Sequence, residues 1–137
     1  MKKVFLSYAQ ADEKLAMKVS EGLKQAGLKV LDYRHEILPG DLWADKAARA
    51  LRESSAMVVI LTPDAVRSEQ VRWEINYALS NLTFKDSLIP VLVGAPEKIP
   101  RNEVPWILWN LQMVRMPERG NQEQGIKQIA QTLRQVA

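Results

Sequence analysis

The chain of 137 residues contains no cysteine and only one histidine, His35. The absence of cysteine excludes disulfides and thiolate chemistry, and it favours a reducing compartment such as the cytoplasm. With a single histidine, a histidine-based metal site and a Ser–His or Cys–His nucleophile pair are both unexpected. We therefore predict no bound metal, and we expect His35 to be a solvated loop residue.

Long apolar runs are also missing from the chain. The longest, residues 56–61, is only six residues long, whereas a membrane span needs roughly 18. Residues 1–3 lead directly into a strand-like run, without the layout of a signal peptide. The net charge is only +3, and basic residues alternate with acidic ones instead of forming a stripe. We therefore expect neither a membrane nor a nucleic-acid partner.

The hydrophobic fraction of 47% is typical of a globular protein, and 137 residues suffice for one domain with a core. We predict a single domain over residues 1–137. Apolar, strand-like runs alternate with helical patterns, which predicts an α/β fold: a flavodoxin-like, doubly wound, five-stranded parallel sheet of order 2-1-3-4-5 with helices on both faces. The predicted strands are residues 4–8, 28–32, 56–61, 88–93 and 111–116.

Four amphipathic helices accompany these strands. The first begins at Asp12 and is stopped by Gly27, and the second is expected to be capped by Asp41 and to bury Trp43. Residues 68–80 are predicted to form the third helix. Residues 94–105, with three prolines, are predicted to be irregular. The apolar face of the last helix consists of Ile126, Ile129, Ala130, Leu133 and Val136.

The strand order places ligands at the carboxyl ends of strands one and three. The segments that meet there are residues 8–12, 33–41 and 62–74. Strand one ends in Ser7-Tyr8-Ala9 and strand three in Leu61-Thr62-Pro63, so the acidic residues of a phospho-accepting receiver are missing. The chain also has no G-x-G-x-x-G and no G-K-S/T, which disfavours dinucleotide-binding dehydrogenases and P-loop nucleotidases.

The helix of residues 68–80 carries a glutamate toward this crevice. Ser68 is the expected N-cap, and Glu69 adds negative charge to the first turn. Glu74 lies about 80° from the centre of the apolar stripe, at the boundary between core and solvent. On this pattern alone it reads as a surface residue, and Trp73 faces away from the core. The stripe consists of Val71, Ile75, Ala78, Leu79 and Leu82.

Five blocks in the correct order resemble those of a Toll/interleukin receptor (TIR) domain, and most closely the bacterial members. Residues 4–8 (VFLSY) resemble the opening box of the family, and residues 32–43 the second box with its Pro-Gly turn. Residues 56–63 resemble the third strand, residues 68–79 the following helix and residues 89–94 the fourth strand. Where bacterial relatives often have Trp-Cys, four and three residues before the glutamate, this chain has Gln70 and Val71.

The resemblance implies an enzyme that cleaves the nicotinamide–ribose bond of NAD, because many TIR domains do so through a glutamate on the helix after strand three. That role carries over to Glu74. NAD is then a substrate, and no other cofactor is implied. The implied contacts with NAD come from Tyr8, Gln10, Asp32, Glu36, Leu38, Gly40 and Trp43.

Several of these residues have an ordinary structural alternative. Tyr8 and Trp43 fit the core, Gly40 fits a plain Pro-Gly turn, Asp32 fits a role in fixing the loop, and Glu36 fits a solvated charge.

The predicted function is therefore an NAD glycohydrolase or cyclase that yields nicotinamide and ADP-ribose or a cyclic isomer, acting in bacterial antiphage signalling or toxicity. Two alternatives stay open: a non-catalytic TIR module that acts by homotypic assembly, and an enzyme resembling a nucleoside 2-deoxyribosyltransferase. The resemblance also implies a homo-oligomer, with Trp73 or the loop of residues 34–40 in the contact.

Overall fold

The computed structural model of the protein describes residues 3–135 and contains the predicted five-stranded parallel sheet, in the order β2-β1-β3-β4-β5. Strands β2 and β5 are shorter than predicted, because the residues that flank them do not pair with the neighbouring strand. The bounds of the strands are Lys3–Ser7 for β1, Lys29–Leu31 for β2, Ala56–Leu61 for β3, Leu88–Val93 for β4 and Val114–Met116 for β5.

Within residues 3–135, six α-helices flank the sheet, two more than the sequence predicts. The additional helices are single-turn segments, α3 (Pro63–Arg67) after β3 and α5 (Trp106–Asn110) directly after the proline-rich stretch, and both are too short for a periodic pattern to indicate them. None of the helices within residues 3–135 is long and apolar enough to cross a membrane. The bounds are Glu13–Gln25 for α1, Trp43–Glu53 for α2, Pro63–Arg67 for α3, Glu69–Leu79 for α4, Trp106–Asn110 for α5 and Glu123–Gln135 for α6.

The sheet is covered on both faces, as the almost wholly apolar strands β3 and β4 require. Helices α1 and α6 pack on one face, and helices α2 and α4 pack on the other. The buried face of α6 includes Ile129, Ala130 and Leu133. Val136, which the sequence assigns to the same stripe, lies outside the described residues. Helix α4 packs on β3, and its residue Glu74 reaches the end of β1, so the helix borders the predicted ligand crevice.

Helix α4 begins as predicted but ends earlier. Ser68 is its N-cap, and the Ser68 hydroxyl accepts a hydrogen bond of 3.2 Å from the backbone N–H of Val71. Ala78 is buried, whereas Leu79 is 37% exposed and Leu82 is 87% exposed. The prediction was wrong for both leucines, because the helix stops at Leu79 and the chain then turns into a 3-10 segment, Leu82–Phe84, which breaks the helical spacing.

Two further predictions about helix surfaces were wrong. Asp41 does not cap α2, because its carboxylate accepts the N–H of Leu38 at 2.9 Å and closes the preceding turn. Trp73 does not face away from the core but is half-buried. Its ring lies 5.5 Å from that of Trp43, edge to face, and 5.6 Å from that of Tyr77. Helix α2 lies beside α4 and so extends the apolar layer beyond the predicted stripe.

The cap of α4 gives a direct test of how this helix is held in place. We expect Ser68→Ala to lower the free energy of unfolding by about 1 kcal/mol, because the N–H of Val71 loses its partner. Urea denaturation measures this change. Ser80→Ala is the matched control, since the Ser80 hydroxyl donates to the carbonyl of Asn76 at the exposed end of the same helix. Equal losses for the two variants would contradict a specific capping role.

Candidate active site

The carboxylate of Glu74 has no exposed surface and is bound by three side chains. The Ser7 hydroxyl donates a 2.6 Å hydrogen bond to Oε1, and the Tyr33 hydroxyl donates to Oε2. The Arg34 guanidinium approaches Oε1 through Nη2 at 3.3 Å. The expected position at the boundary with solvent was therefore wrong. Helical spacing indicates only which side of α4 faces the sheet. Here the 3-10 segment Tyr33–Glu36, which follows β2, covers the side of α4 that carries Glu74.

Strand geometry explains how Ser7 and Tyr33 reach the carboxylate. Ser7 is the last residue of the central strand β1, and alternation places its side chain on the same face as Phe5, toward α4. The Tyr33 ring stacks on Phe5, with 5.8 Å between ring centroids and 23° between planes. Both hydroxyls are thus attached to groups that the core itself fixes.

Arg34 is held differently from the other two donors. Its guanidinium carbon lies 4.6 Å from the centroid of the Tyr8 ring and 5.3 Å from that of the Tyr33 ring. The side chain is only 6% exposed. Nonetheless Nε and Nη1 are buried without a hydrogen-bond partner among residues 3–135.

Asp32 organises the loop that carries Arg34. Its carboxylate accepts the hydroxyl of Tyr8 at 2.7 Å and the backbone N–H of Arg34 at 3.2 Å. Nε2 of His35, whose side chain is about half exposed, lies 3.4 Å from the same carboxylate. In this structure Asp32 therefore holds the loop after β2, the alternative to substrate contact that the sequence leaves open.

Burial and the neighbouring donors act in opposite directions on the pKa of Glu74. Burial raises the pKa of Glu74 above its usual value, and Arg34 together with the hydroxyls of Ser7 and Tyr33 partly offsets this increase. Burial, together with the neighbouring charge of Glu74, also raises the pKa of Tyr33. Tyr33 consequently remains a hydrogen-bond donor at neutral pH.

The remaining residues predicted to contact NAD do not bind Glu74 in this structure. Gln10 is exposed and donates to Glu13 at 3.0 Å, while Glu36 is exposed at the edge of a pocket of about 320 Å³ beside β2. Trp43 is half-buried against α4. Leu38 is 65% exposed, and Gly40, at φ +90°, forms the exposed turn of the same loop. The structure thus brings together Tyr8, Asp32 and Glu74, whereas Leu38 and Gly40 lie farther along the loop.

A recess exists at the tips of β1 and β3, but Glu74 does not line it. This cleft of about 750 Å³ lies on the α1 side of the sheet, and its lining includes Asp12, Thr62 and Asp64. The Thr62 hydroxyl donates to Asp12 at 2.5 Å, and burial raises the pKa of that carboxyl. Within residues 3–135, no group of three or more His, Asp or Glu side chains is arranged to hold a metal ion.

Sequence reasoning missed three side chains of the site: Ser7, Tyr33 and Arg34. One signal was available for Ser7, because a polar residue that ends an otherwise apolar strand at the predicted crevice is unusual. Tyr33 and Arg34 lie in a segment without periodicity. Only the return of the chain over β1 brings them to Glu74.

The TIR domain family model matches residues 4–130 of the chain. The chain belongs to the TIR domain family. No curated protein sequence matches it.

Solved structures share this fold at low sequence identity. The TIR domain of the Toll-related receptor TRR-2 from Hydra magnipapillata is 22% identical, with a TM-score of 0.67 and 82% of each chain covered. A TIR-STING receptor from C. gigas, in complex with 2′,3′-cGAMP, is 21% identical with a TM-score of 0.76. That match covers 95% of this chain but only 38% of the receptor. The CMP N-glycosidase BcmB of Clostridium botulinum is 17% identical, with a TM-score of 0.61 and coverage of 93% and 97%.

The hydrogen bond from Tyr33 to Glu74 gives a second test. We expect Tyr33→Phe to lower the free energy of unfolding at neutral pH by about 1–3 kcal/mol, because a buried carboxylate loses one of its donors. Tyr77→Phe serves as the control, since the Tyr77 hydroxyl has no hydrogen-bond partner among the described residues. Similar losses in both variants would mean that the Tyr33 hydroxyl contributes little to holding Glu74.

Proposed function

We propose that this TIR domain hydrolyses the nicotinamide–ribose bond of NAD, with Glu74 as the catalytic carboxylate. The observation that carries the proposal is a fully buried carboxylate, bound by three donors, at the carboxyl ends of β1 and β2. Buried ionisable groups with specific partners in such positions are typical of active sites. The five sequence blocks that resemble NAD-cleaving TIR domains support the same assignment.

The chemistry requires little beyond one fixed negative charge. In NAD the nicotinamide is already cationic, so it leaves as a neutral molecule when the bond electrons move to its ring nitrogen. Positive charge then develops on the ribose, as in other glycosyl transfers. Water attacks the anomeric carbon and loses a proton to give ADP-ribose, whereas attack by a nucleophile within the same molecule gives a cyclic isomer.

Glu74 suits this task because its surroundings exclude water. A carboxylate in a low-dielectric site stabilises a nearby cation far more than one in bulk water does. We infer that Glu74 accepts hydrogen bonds from the ribose hydroxyls, while Ser7 and Tyr33 hold the carboxylate in position. NAD reaches Glu74 only when a side chain that covers the carboxylate moves aside, because the carboxylate has no exposed surface.

The likeness to a CMP N-glycosidase is consistent with this class of reaction, since that enzyme also acts on an N-glycosidic bond. A nucleoside 2-deoxyribosyltransferase-like activity belongs to the same class, and assays with deoxynucleosides distinguish it from NAD cleavage. We further propose that the enzyme works in the cytoplasm, in antiphage signalling or toxicity, and as a homo-oligomer.

The role of Glu74 is tested by nicotinamide release. We expect Glu74→Gln to lower kcat/KM for NAD about 100-fold or more, because the charge that stabilises the transition state is lost. Chromatography of the products measures both nicotinamide and ADP-ribose. Glu69→Gln, an exposed charge in the first turn of the same helix, is expected to retain full activity. Unchanged turnover in a folded Glu74→Gln variant would exclude this role.

The raised pKa of Glu74 predicts the pH dependence of the reaction. Only the ionised carboxylate stabilises a cation, so kcat/KM falls as the pH drops through the pKa of Glu74 in the free enzyme. Since burial raises that pKa, the acid limb of the profile is expected above pH 4.5, the usual value. Tyr33→Phe removes a donor to the carboxylate and should move this limb to higher pH. Tyr77→Phe should leave it in place, and a limb at or below pH 4.5 would contradict the assignment.

A non-catalytic assembly module is the second candidate, and a separate observation favours it. Leu38 and Leu42, on the loop before α2, are 65% and 70% exposed, and Trp106 is 73% exposed. Contiguous exposed apolar side chains mark contact surfaces, and Leu38 and Leu42 lie on one short loop. Concentration-dependent association, without nicotinamide release at any protein concentration, would favour this module over the enzyme.

A further inference from the structure

Arg34 is the one basic side chain within ion-pair distance of Glu74 among residues 3–135, and it neutralises the charge that the proposed reaction needs. A carboxylate paired with a guanidinium at 3.3 Å offers little net field to a second cation. While Arg34 remains in place, the transition state gains little from Glu74. The ion pair therefore stabilises the folded resting state and opposes catalysis.

Of the three donors around the carboxylate, Arg34 is the one able to leave without disturbing the core. Ser7 belongs to the central strand, and the Tyr33 ring is stacked on Phe5. Within residues 3–135, the ion pair and ring contacts of the Arg34 side chain are with Glu74, Tyr8 and Tyr33, and its backbone N–H donates to Asp32. Moving this side chain leaves the packed layers intact.

The buried guanidinium is also incompletely satisfied. Nε and Nη1 have no hydrogen-bond partner within the described part of the chain, although the side chain is only 6% exposed. Unpaired buried donors regain hydrogen bonds when they reach water. That gain offsets part of the cost of breaking the ion pair, so the closed arrangement is poised to open.

The surroundings of the Arg34 guanidinium, two aromatic faces and a carboxylate, are also those that favour binding of a cationic aromatic ring. The guanidinium is a flat cation that lies over the faces of Tyr8 and Tyr33 and beside a carboxylate. A pyridinium ring is also a flat cation, and aromatic faces together with a carboxylate attract it through the same forces. The two cations therefore require the same space and the same partners.

We propose that Arg34 is an internal competitor of the substrate, whose guanidinium occupies the place that the cationic nicotinamide ring takes beside Glu74. The proposal rests on the proposed function of Glu74. In the resting protein Arg34 excludes the ring and neutralises the carboxylate. When Arg34 leaves, the ring enters between the tyrosine faces, and Glu74 faces the ribose without a competing counter-charge.

A binding experiment tests the competition without requiring turnover. The probes are 1-methylnicotinamide, a permanent cation, and nicotinamide, its neutral counterpart. Binding is measured by calorimetry at about pH 9, so that Glu74 stays ionised after its counter-ion is removed. We expect Arg34→Gln to bind the cation at least tenfold more tightly than the wild-type protein does, with no gain for neutral nicotinamide.

Two variants control this measurement. Arg72→Gln removes the same charge from the exposed side of α4 and is expected to bind the cation no better than the wild-type protein does. Adding Glu74→Gln to Arg34→Gln should abolish the gain, because the anion that attracts the probe is lost. Equal gains for both probes, or a gain that survives Glu74→Gln, would overturn the proposal.

A measurement on the unmodified protein covers the case in which Arg34→Gln does not fold. The buried Nε–H of Arg34 should exchange slowly with water and give a resolved NMR signal. Saturating 1-methylnicotinamide should speed this exchange at least tenfold, because the probe displaces the guanidinium into solvent. Nicotinamide should not change it. Unchanged exchange with the cation bound would overturn the proposal.

Nicotinamide release from NAD then separates this proposal from the proposed function. A folded Arg34→Gln that releases nicotinamide at least fivefold faster than the wild-type protein supports both. Cation-selective binding without release by any variant would leave the competition intact and remove the NAD-cleaving function. Release by the wild-type protein that slows in Arg34→Gln, without a gain in cation binding, would leave the function intact and overturn the competition.

Discussion

A carboxylate without access to water must find its hydrogen bonds within the protein, and this requirement shapes the centre of the molecule. Glu74 is removed from solvent, and Ser7, Tyr33 and Arg34 replace its hydration shell. With Glu74 itself, these groups come from the end of β1, the turn after β2 and helix α4, so one buried charge joins three segments distant in sequence. Removing one partner of such a pair by mutation typically costs about 3–5 kcal/mol, because the remaining charge stays buried without compensation.

The same interaction sets up a conflict between stability and access. The contacts that make burial of Glu74 tolerable also close the route by which any ligand reaches it. The conflict is concentrated in one short 3-10 segment, Tyr33–Glu36, in which Tyr33 is anchored in the core and Arg34 is not. A site built in this way holds a carboxylate in a dry environment. Access to the carboxylate then depends on how readily the side chains that cover it move.

Membership of the TIR family does not by itself decide between catalysis and assembly, because function resides in sites placed on a fold. The solved structures of similar fold include a receptor domain and an N-glycosidase, all below 25% identity to this chain. The cluster around Glu74 is the feature that supports the proposed enzyme. Leu38, Leu42 and Trp106, exposed at the surface, support assembly instead. The two are compatible, since they involve different parts of the chain.

The amino-acid sequence alone determined the parallel sheet, its strand order, the Ser68 cap and the segments that meet at the carboxyl ends of the strands. These features follow from local periodicity and from general rules of chain crossing, which act within a few residues or on whole elements. Periodicity also placed Glu74 beside the crevice but put it at the solvent boundary, because a helical wheel has no information about what covers the far side. Only the tertiary structure decided that Tyr33 and Arg34 close over it and that Trp73 packs against Trp43. Those contacts join residues about 30 to 40 positions apart, and no local pattern encodes which loop folds over which helix.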